Sequence, residues 1–120
     1  MIFKKSVIEK LSKELLLPYT GTEQDWDIEM ADPDRINDFL LFYHMNDLSL
    51  DERVTVMALI LASYEDFLNE NNLDIDSKWN KIKLILKSEK KDFVELIDYW
   101  ALDNEQENNI FKITSLIRII

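Results

Sequence analysis

The stretch Ser49-Leu50-Asp51-Glu52-Arg53-Val54-Thr55-Val56-Met57-Ala58-Leu59-Ile60-Leu61-Ala62-Ser63-Tyr64-Glu65-Asp66-Phe67-Leu68 decides the fold. Val56 to Ala62 are all apolar, and Tyr64, Phe67 and Leu68 continue the pattern. An apolar run of that length covers every side of a helical turn, so this helix has to be buried all round instead of along one stripe. It is too short for a bilayer, which takes about 20 apolar residues to cross. Ser49 stands three residues before Glu52, the spacing of a capping box. In that device the serine oxygen accepts a backbone N–H bond and the glutamate reaches back to the serine's own N–H. Asn69-Glu70-Asn71-Asn72 is a polar, turn-prone stop. The expectation is a buried central helix over about 50–70, inside a single all-α domain (1–120) of about five main helices.

Working outward, Phe3, Val7, Ile8, Leu11, Leu15 and Leu16 recur at helical spacing between lysines and glutamates, which predicts an amphipathic helix over 2–17 ended by Pro18. Residues 18–32 read as the longest irregular stretch. Asp32-Pro33 then opens a helix, because aspartate caps well and proline suits the first helical position. Its apolar set is Ile36, Phe39, Leu40 and Tyr43, and it should end near Met45-Asn46. After the central helix, Ile75, Trp79, Ile82 and Leu86 form a further stripe, and Phe93, Ile97 and Trp100 another from about Lys90, with a break at Lys87–Lys91. The last residues, 110–120, alternate at 111–113 as a strand does, yet no other strand is predicted to pair with them. A docked segment ending in a short helix, capped by Thr114 or Ser115, is expected there.

Composition narrows the function. An apolar share of 47% is a globular value, and one glycine with two prolines leaves little for tight hairpins. The absence of cysteine excludes disulfides and thiolate metal sites. No long apolar run follows Lys4-Lys5, so no signal peptide is read and a cytoplasmic location is expected. Twenty-four acids against 14 bases give a net charge of −10. Such a field repels nucleic-acid phosphates and steers in basic proteins. Chemistry is sparse: there is no G-x-S-x-G and no glycine-rich phosphate loop, and His44 is the single histidine. No enzyme activity, cofactor or metal is assigned. Asp25-x-Asp27-x-Glu29 has the look of an oxygen-ligand loop but lacks the glycine and distal glutamate of an EF-hand.

The acids are segregated. Thr20 to Asp34, Tyr64 to Asp76 and Asp92 to Glu107 hold six, five and six of them with no base. Carboxylates supply steering and aromatic residues supply anchors at protein interfaces, so Asp25, Asp27, Glu29, Asp32, Asp34, Glu65, Asp66 and Asp98 are the candidate partner-binding residues. The structural reading of the first segment is that Trp26 and Ile28 plug the core while its acids face water, and for Trp26 that reading is preferred.

The run Asp25-Trp26-Asp27-Ile28-Glu29-x-Ala31-Asp32, with Arg35-Ile36-x-x-Phe39, the central helix, Asp98-Tyr99-Trp100 and Phe111-Lys112-Ile113-Thr114, resembles a group of small acidic helical bacterial proteins. The group includes immunity proteins of contact-dependent and polymorphic toxin systems. The resemblance spans most of residues 24–120. It implies a cytoplasmic inhibitor that occludes a toxin domain, frequently a basic nuclease. The tyrosine-pair segment of the colicin-nuclease immunity family is missing, so no binding residues transfer from there. An acidic adaptor or regulatory subunit for another basic protein is the alternative, and a small enzyme or cation-binding protein using Asp25, Asp27 and Glu29 is the third.

Overall fold

A computed structural model describes residues 2–120, apart from the side chain of Glu107. The capping box forms as the sequence spells it: Ser49 Oγ accepts from the Glu52 N–H at 3.2 Å, and Glu52 Oε1 accepts from the Ser49 N–H at 2.8 Å. The other oxygen of Glu52 accepts from Lys10 Nζ at 2.6 Å, so one carboxylate both starts the central helix and ties the N-terminal helix to it. The helices are α1 (Lys5–Glu14), α2 (Trp26–Met30), α3 (Ile36–Met45), α4 (Leu50–Glu70), α5 (Lys78–Ser88), α6 (Val94–Ala101) and α7 (Thr114–Ile117), and no strand occurs among the described residues. The fold is all-α, and α4 is its axis: α1, α2 and α3 all contact it, and Val56 to Ala62 are buried without exception. Among the described residues no helix is long and apolar enough to cross a membrane.

Side-chain bonds close the joints between helices. Arg53 on α4 pairs with Asp92 at 2.7 Å, and the Tyr43 hydroxyl of α3 donates to Glu89 at 2.8 Å. Arg53 Nε lies 3.2 Å from that same Glu89 oxygen but off the line of a hydrogen bond, so the contact is ionic only. Tyr64 of α4 donates to Asp76 at 2.8 Å and stacks on Trp79 of α5 at 6.1 Å. Arg118 donates to the carbonyls of Ala101 and Leu102, which end α6 and have no helical partner of their own.

Several expectations are corrected. The first helix is shorter than 2–17: it runs from Lys5 to Glu14 and stops four residues before Pro18, so the proline does not end it. Leu16 turns into the left-handed region (φ 55°), and the Leu17 and Leu16 N–H groups close back on Ser12 and Lys13 in a Schellman motif. The same motif ends α4, with Asn72 (φ 51°) in the left-handed position. The stretch 18–32 is not irregular throughout, since it contains α2. A five-residue helix has little stability of its own. This one forms because Trp26 and Met30, one turn apart, are both buried. Ile28, set between them, is exposed and plugs nothing; Trp26 alone fills the core, its indole N–H donating to Ser12 Oγ at 2.8 Å. Ile75 is likewise exposed and precedes α5. At the C-terminus the docked short helix is present, with Ile113 and Ile117 buried, but neither Thr114 nor Ser115 caps it: Thr114 is its first residue, and its Oγ1 accepts from the Phe111 N–H at 3.1 Å in the turn before.

Candidate protein-binding face

The local structure of α2 places the first acids. With Trp26 and Met30 turned into the core, helical geometry turns Asp25, Asp27 and Ile28 away from it. Glu29 bends back, accepting from the Asp25 N–H at 2.9 Å, and so steadies the first turn. Two adjoining hollows result. The smaller, about 100 Å³, is lined by Phe3, Asp25, Asp27, Ile28, Leu96 and Tyr99. The larger, about 230 Å³, lies between Ile28, Glu65, Asp66, Asn69, Trp100 and Phe111, among others. Ile28 belongs to both, so the two read as one groove. Each of the three acid-rich segments contributes to it: Asp25 and Asp27 from the first, Asp66 from the second, Tyr99 and Trp100 from the third.

No lysine, arginine or histidine among the described residues lines either hollow. Burial pushes the Asp27 carboxyl above its ordinary value, and the charge of Asp25 adds to the effect. Asp66 is raised in the same way, by burial first and then by Glu70 and Glu65. The Tyr99 hydroxyl is raised by burial and by Asp27 and Asp25. Asp27 is held partly out of water, and no lysine, arginine or histidine among the described residues lines its hollow, so a positive group brought there relieves an electrostatic penalty. Ile28, Tyr99 and Phe111 are all substantially exposed and provide apolar area around the acids. Trp100 is buried, yet its indole N–H meets no acceptor among the described residues. A donor left unpaired in this way costs about 1–3 kcal/mol.

Of the remaining expected site residues, Glu65 borders the larger hollow but is committed to another task, and the others lie outside both hollows. Glu65 is the clearest correction. It is only 8% exposed, and its carboxylate accepts from the N–H groups of Ile113 (2.9 Å) and Lys112 (3.1 Å) and from Asn69 Nδ2 (2.6 Å). It is the hook that docks the C-terminal segment, and its oxygens are already used. Asp32 accepts from the Asp34 N–H at 3.0 Å, while its own N–H donates to Ser63 Oγ at 3.0 Å, which fixes the crossing of the chain over α4. Asp34 and Asp98 are exposed and line neither hollow. Among the described residues no three His, Cys, Asp or Glu side chains converge to hold a metal ion, and Glu29 of the loop considered for a cation is taken by the Asp25 N–H.

Sequence reasoning missed Ile28, Tyr99 and Phe111 as surface residues. The signal for Ile28 was present: if Trp26 and Met30 face inward on a helix, the residue midway between them faces outward. Another hollow, about 440 Å³, adjoins the smaller one at Phe3 and is lined by Ile2, Lys4, Leu50, Asp51 and Lys91, among others. Its charges are mixed in sign and partly consumed in the Lys4–Asp51 and Arg53–Asp92 pairs, so it has no comparable unbalanced field. Comparison with protein-family models, with curated proteins and with solved structures finds no match to this chain.

Proposed function

We propose that this chain is an immunity protein that binds a basic toxin domain, of the nuclease kind, through the groove between α2, α6 and the segment before α7. The observation that carries the reading is the convergence of Asp25, Asp27 and Asp66, without a base, around Ile28, Tyr99 and Phe111. A nuclease holds phosphates with lysines and arginines, and a carboxylate-lined groove offers those same groups a competing set of partners. The apolar rim supplies contact area, and the charges supply orientation and on-rate. Inhibition then follows by occlusion, with no chemical step. The resemblance to toxin-immunity proteins supports the toxin as the partner. An acidic adaptor would use the same groove on a different basic protein.

The test is capture of the partner from the source cells on immobilised wild-type chain and on the Asp25→Asn/Asp27→Asn/Asp66→Asn variant. The proposal expects a basic protein held by the wild type alone, toxic when expressed by itself and harmless when co-expressed with the wild type. A captured basic protein without toxicity replaces the immunity reading with the adaptor. Equal capture by the variant removes the groove from the interface.

A further inference from the structure

A second face of the molecule shares no residue with the groove. The end of α1, the outer side of α3 and the outer side of α5 present Leu16, Leu41, Met45 and Leu84, which are 84%, 61%, 75% and 70% exposed. They flank two hollows of nearly equal size. One, about 370 Å³, lies between α1 and α3 and is bordered by Leu16 and Met45. The other, about 360 Å³, lies between α3 and α5 and is bordered by Leu84. Leu41 belongs to both and marks the middle.

Leu16 is an outlier on two counts. It occupies the left-handed region, where a Cβ is strained and glycine is the ordinary choice, and it holds its side chain almost wholly in water. The left-handed turn closes the Schellman motif, but glycine makes that turn with less strain, and exposing the leucine gains an isolated monomer nothing. Both features are accounted for if Leu16 is an anchor, held by its Schellman bonds so as to project from the surface.

We propose that two copies of this chain meet on this face about a two-fold axis passing near Leu41. Two-fold contact demands that one patch carry both the projections and the recesses that receive them. Here Leu16 borders one hollow and Leu84 the other, so each projection of one copy faces a hollow of the second. The charges are arranged in the same sense. Glu14 borders the α1–α3 hollow and Lys81 the α3–α5 hollow, and neither forms an ion pair among the described residues. The two-fold axis brings Glu14 of each copy towards Lys81 of the partner subunit. The other pair of charges, Arg35 and Asp38, is satisfied internally at 3.3 Å. The patch is therefore close to neutral on a chain of net charge −10, and two such chains approach here with the least repulsion.

Sedimentation over a range of concentrations, up to millimolar, is the test. The expected result is a shift from 14.3 kDa towards twice that mass. Leu41→Glu should weaken association by more than about tenfold, because a two-fold interface buries the unpaired carboxylate twice. Leu16→Gly should weaken it too, while leaving the melting temperature of dilute protein equal or higher, since glycine relieves the left-handed strain. Glu14→Lys and Lys81→Glu should each weaken association, and the double variant should restore it. A chain that sediments as monomer at every concentration overturns the proposal, whatever other protein the face then binds. So does a double swap that fails to rescue the single ones.

Discussion

The groove beside α2 and α6 is lined by four carboxylates and, among the described residues, by no base, whereas the face over α3 carries four exposed apolar side chains among charges that cancel. Both expose groups that an isolated monomer gains nothing by exposing, but the penalties differ in kind. At the groove the penalty is electrostatic: salt screens it, and a cation or a proton relieves it. At the apolar face it is hydration of hydrocarbon, which simple salts leave in place or strengthen. Added salt should therefore separate the two, weakening whatever the groove binds and sparing association at Leu41.

The contrast extends to the core, where the largest effect is expected. Leu61→Ala on α4 should destabilise by about 2–5 kcal/mol through lost burial and a residual cavity. Leu41→Ala, the same chemical change on the exposed face, should cost less than about 0.5 kcal/mol in dilute protein. Urea midpoints of the two variants measure the difference, and similar losses would mean that Leu41 is a core residue after all.

Glu65 and Asp66, adjacent in sequence, provide a sharper version. Glu65→Ala strands the buried Ile113 N–H and should cost about 1–3 kcal/mol, with faster hydrogen exchange over 111–117 as the C-terminal segment loosens. Asp66→Asn should leave that exchange unchanged. Equal protection in both variants would show that the hook does not hold the segment.

At the start of α4, Ser49→Ala should cost about 0.5–2 kcal/mol, and less when Glu52→Ala is already present, because the two side chains form one reciprocal unit. Strict additivity would contradict the box. Glu52 also gives the fold a pH dependence. The Lys10 ammonium, and then the Ser49 N–H, hold its carboxyl below the usual 4.5. A depressed carboxyl contributes stability that is complete above its unfolded value and is lost as the pH falls through the folded one, so this contribution disappears below about 4.5 in the wild type and is missing from Glu52→Ala at every pH.

Asp27 has the opposite sign. Its carboxyl is raised, so the charged form is the one the fold disfavours, and its penalty grows as the pH rises through the folded value. Asp27→Asn should be neutral or slightly stabilising at pH 7, within about 0.5 kcal/mol. A clear loss of melting temperature would make Asp27 a structural residue and not part of a binding face.

The all-α fold was legible because its strongest signals were local. Seven consecutive apolar residues, a serine three positions before a glutamate, and an aspartate before a proline each name their own structure. The site was legible only in part. Acid runs marked 20–34, 64–76 and 92–107, but charge along the chain does not say which side of a helix a carboxylate occupies. Glu65 and Asp66 both border the larger hollow, but one position, about 100° around α4, buries the first on the C-terminal N–H groups and leaves the second exposed. The helix α2 was missed because burial of Trp26 and Met30, not local propensity, makes it. Leu41 and Leu84 fell outside the apolar stripes of their helices, which correctly predicts exposure but gives no hint that they share one patch with Leu16.

The central claim is that Asp25, Asp27 and Asp66 act together in drawing a basic partner to the groove. Its most direct test is the association rate of the captured partner as a function of ionic strength, for the wild type and for Asp25→Asn/Asp27→Asn/Asp66→Asn. The account predicts a slower rate for the variant at low salt, a much flatter dependence on salt, and convergence of the two proteins at high salt. Equal rates with equal salt slopes would contradict it.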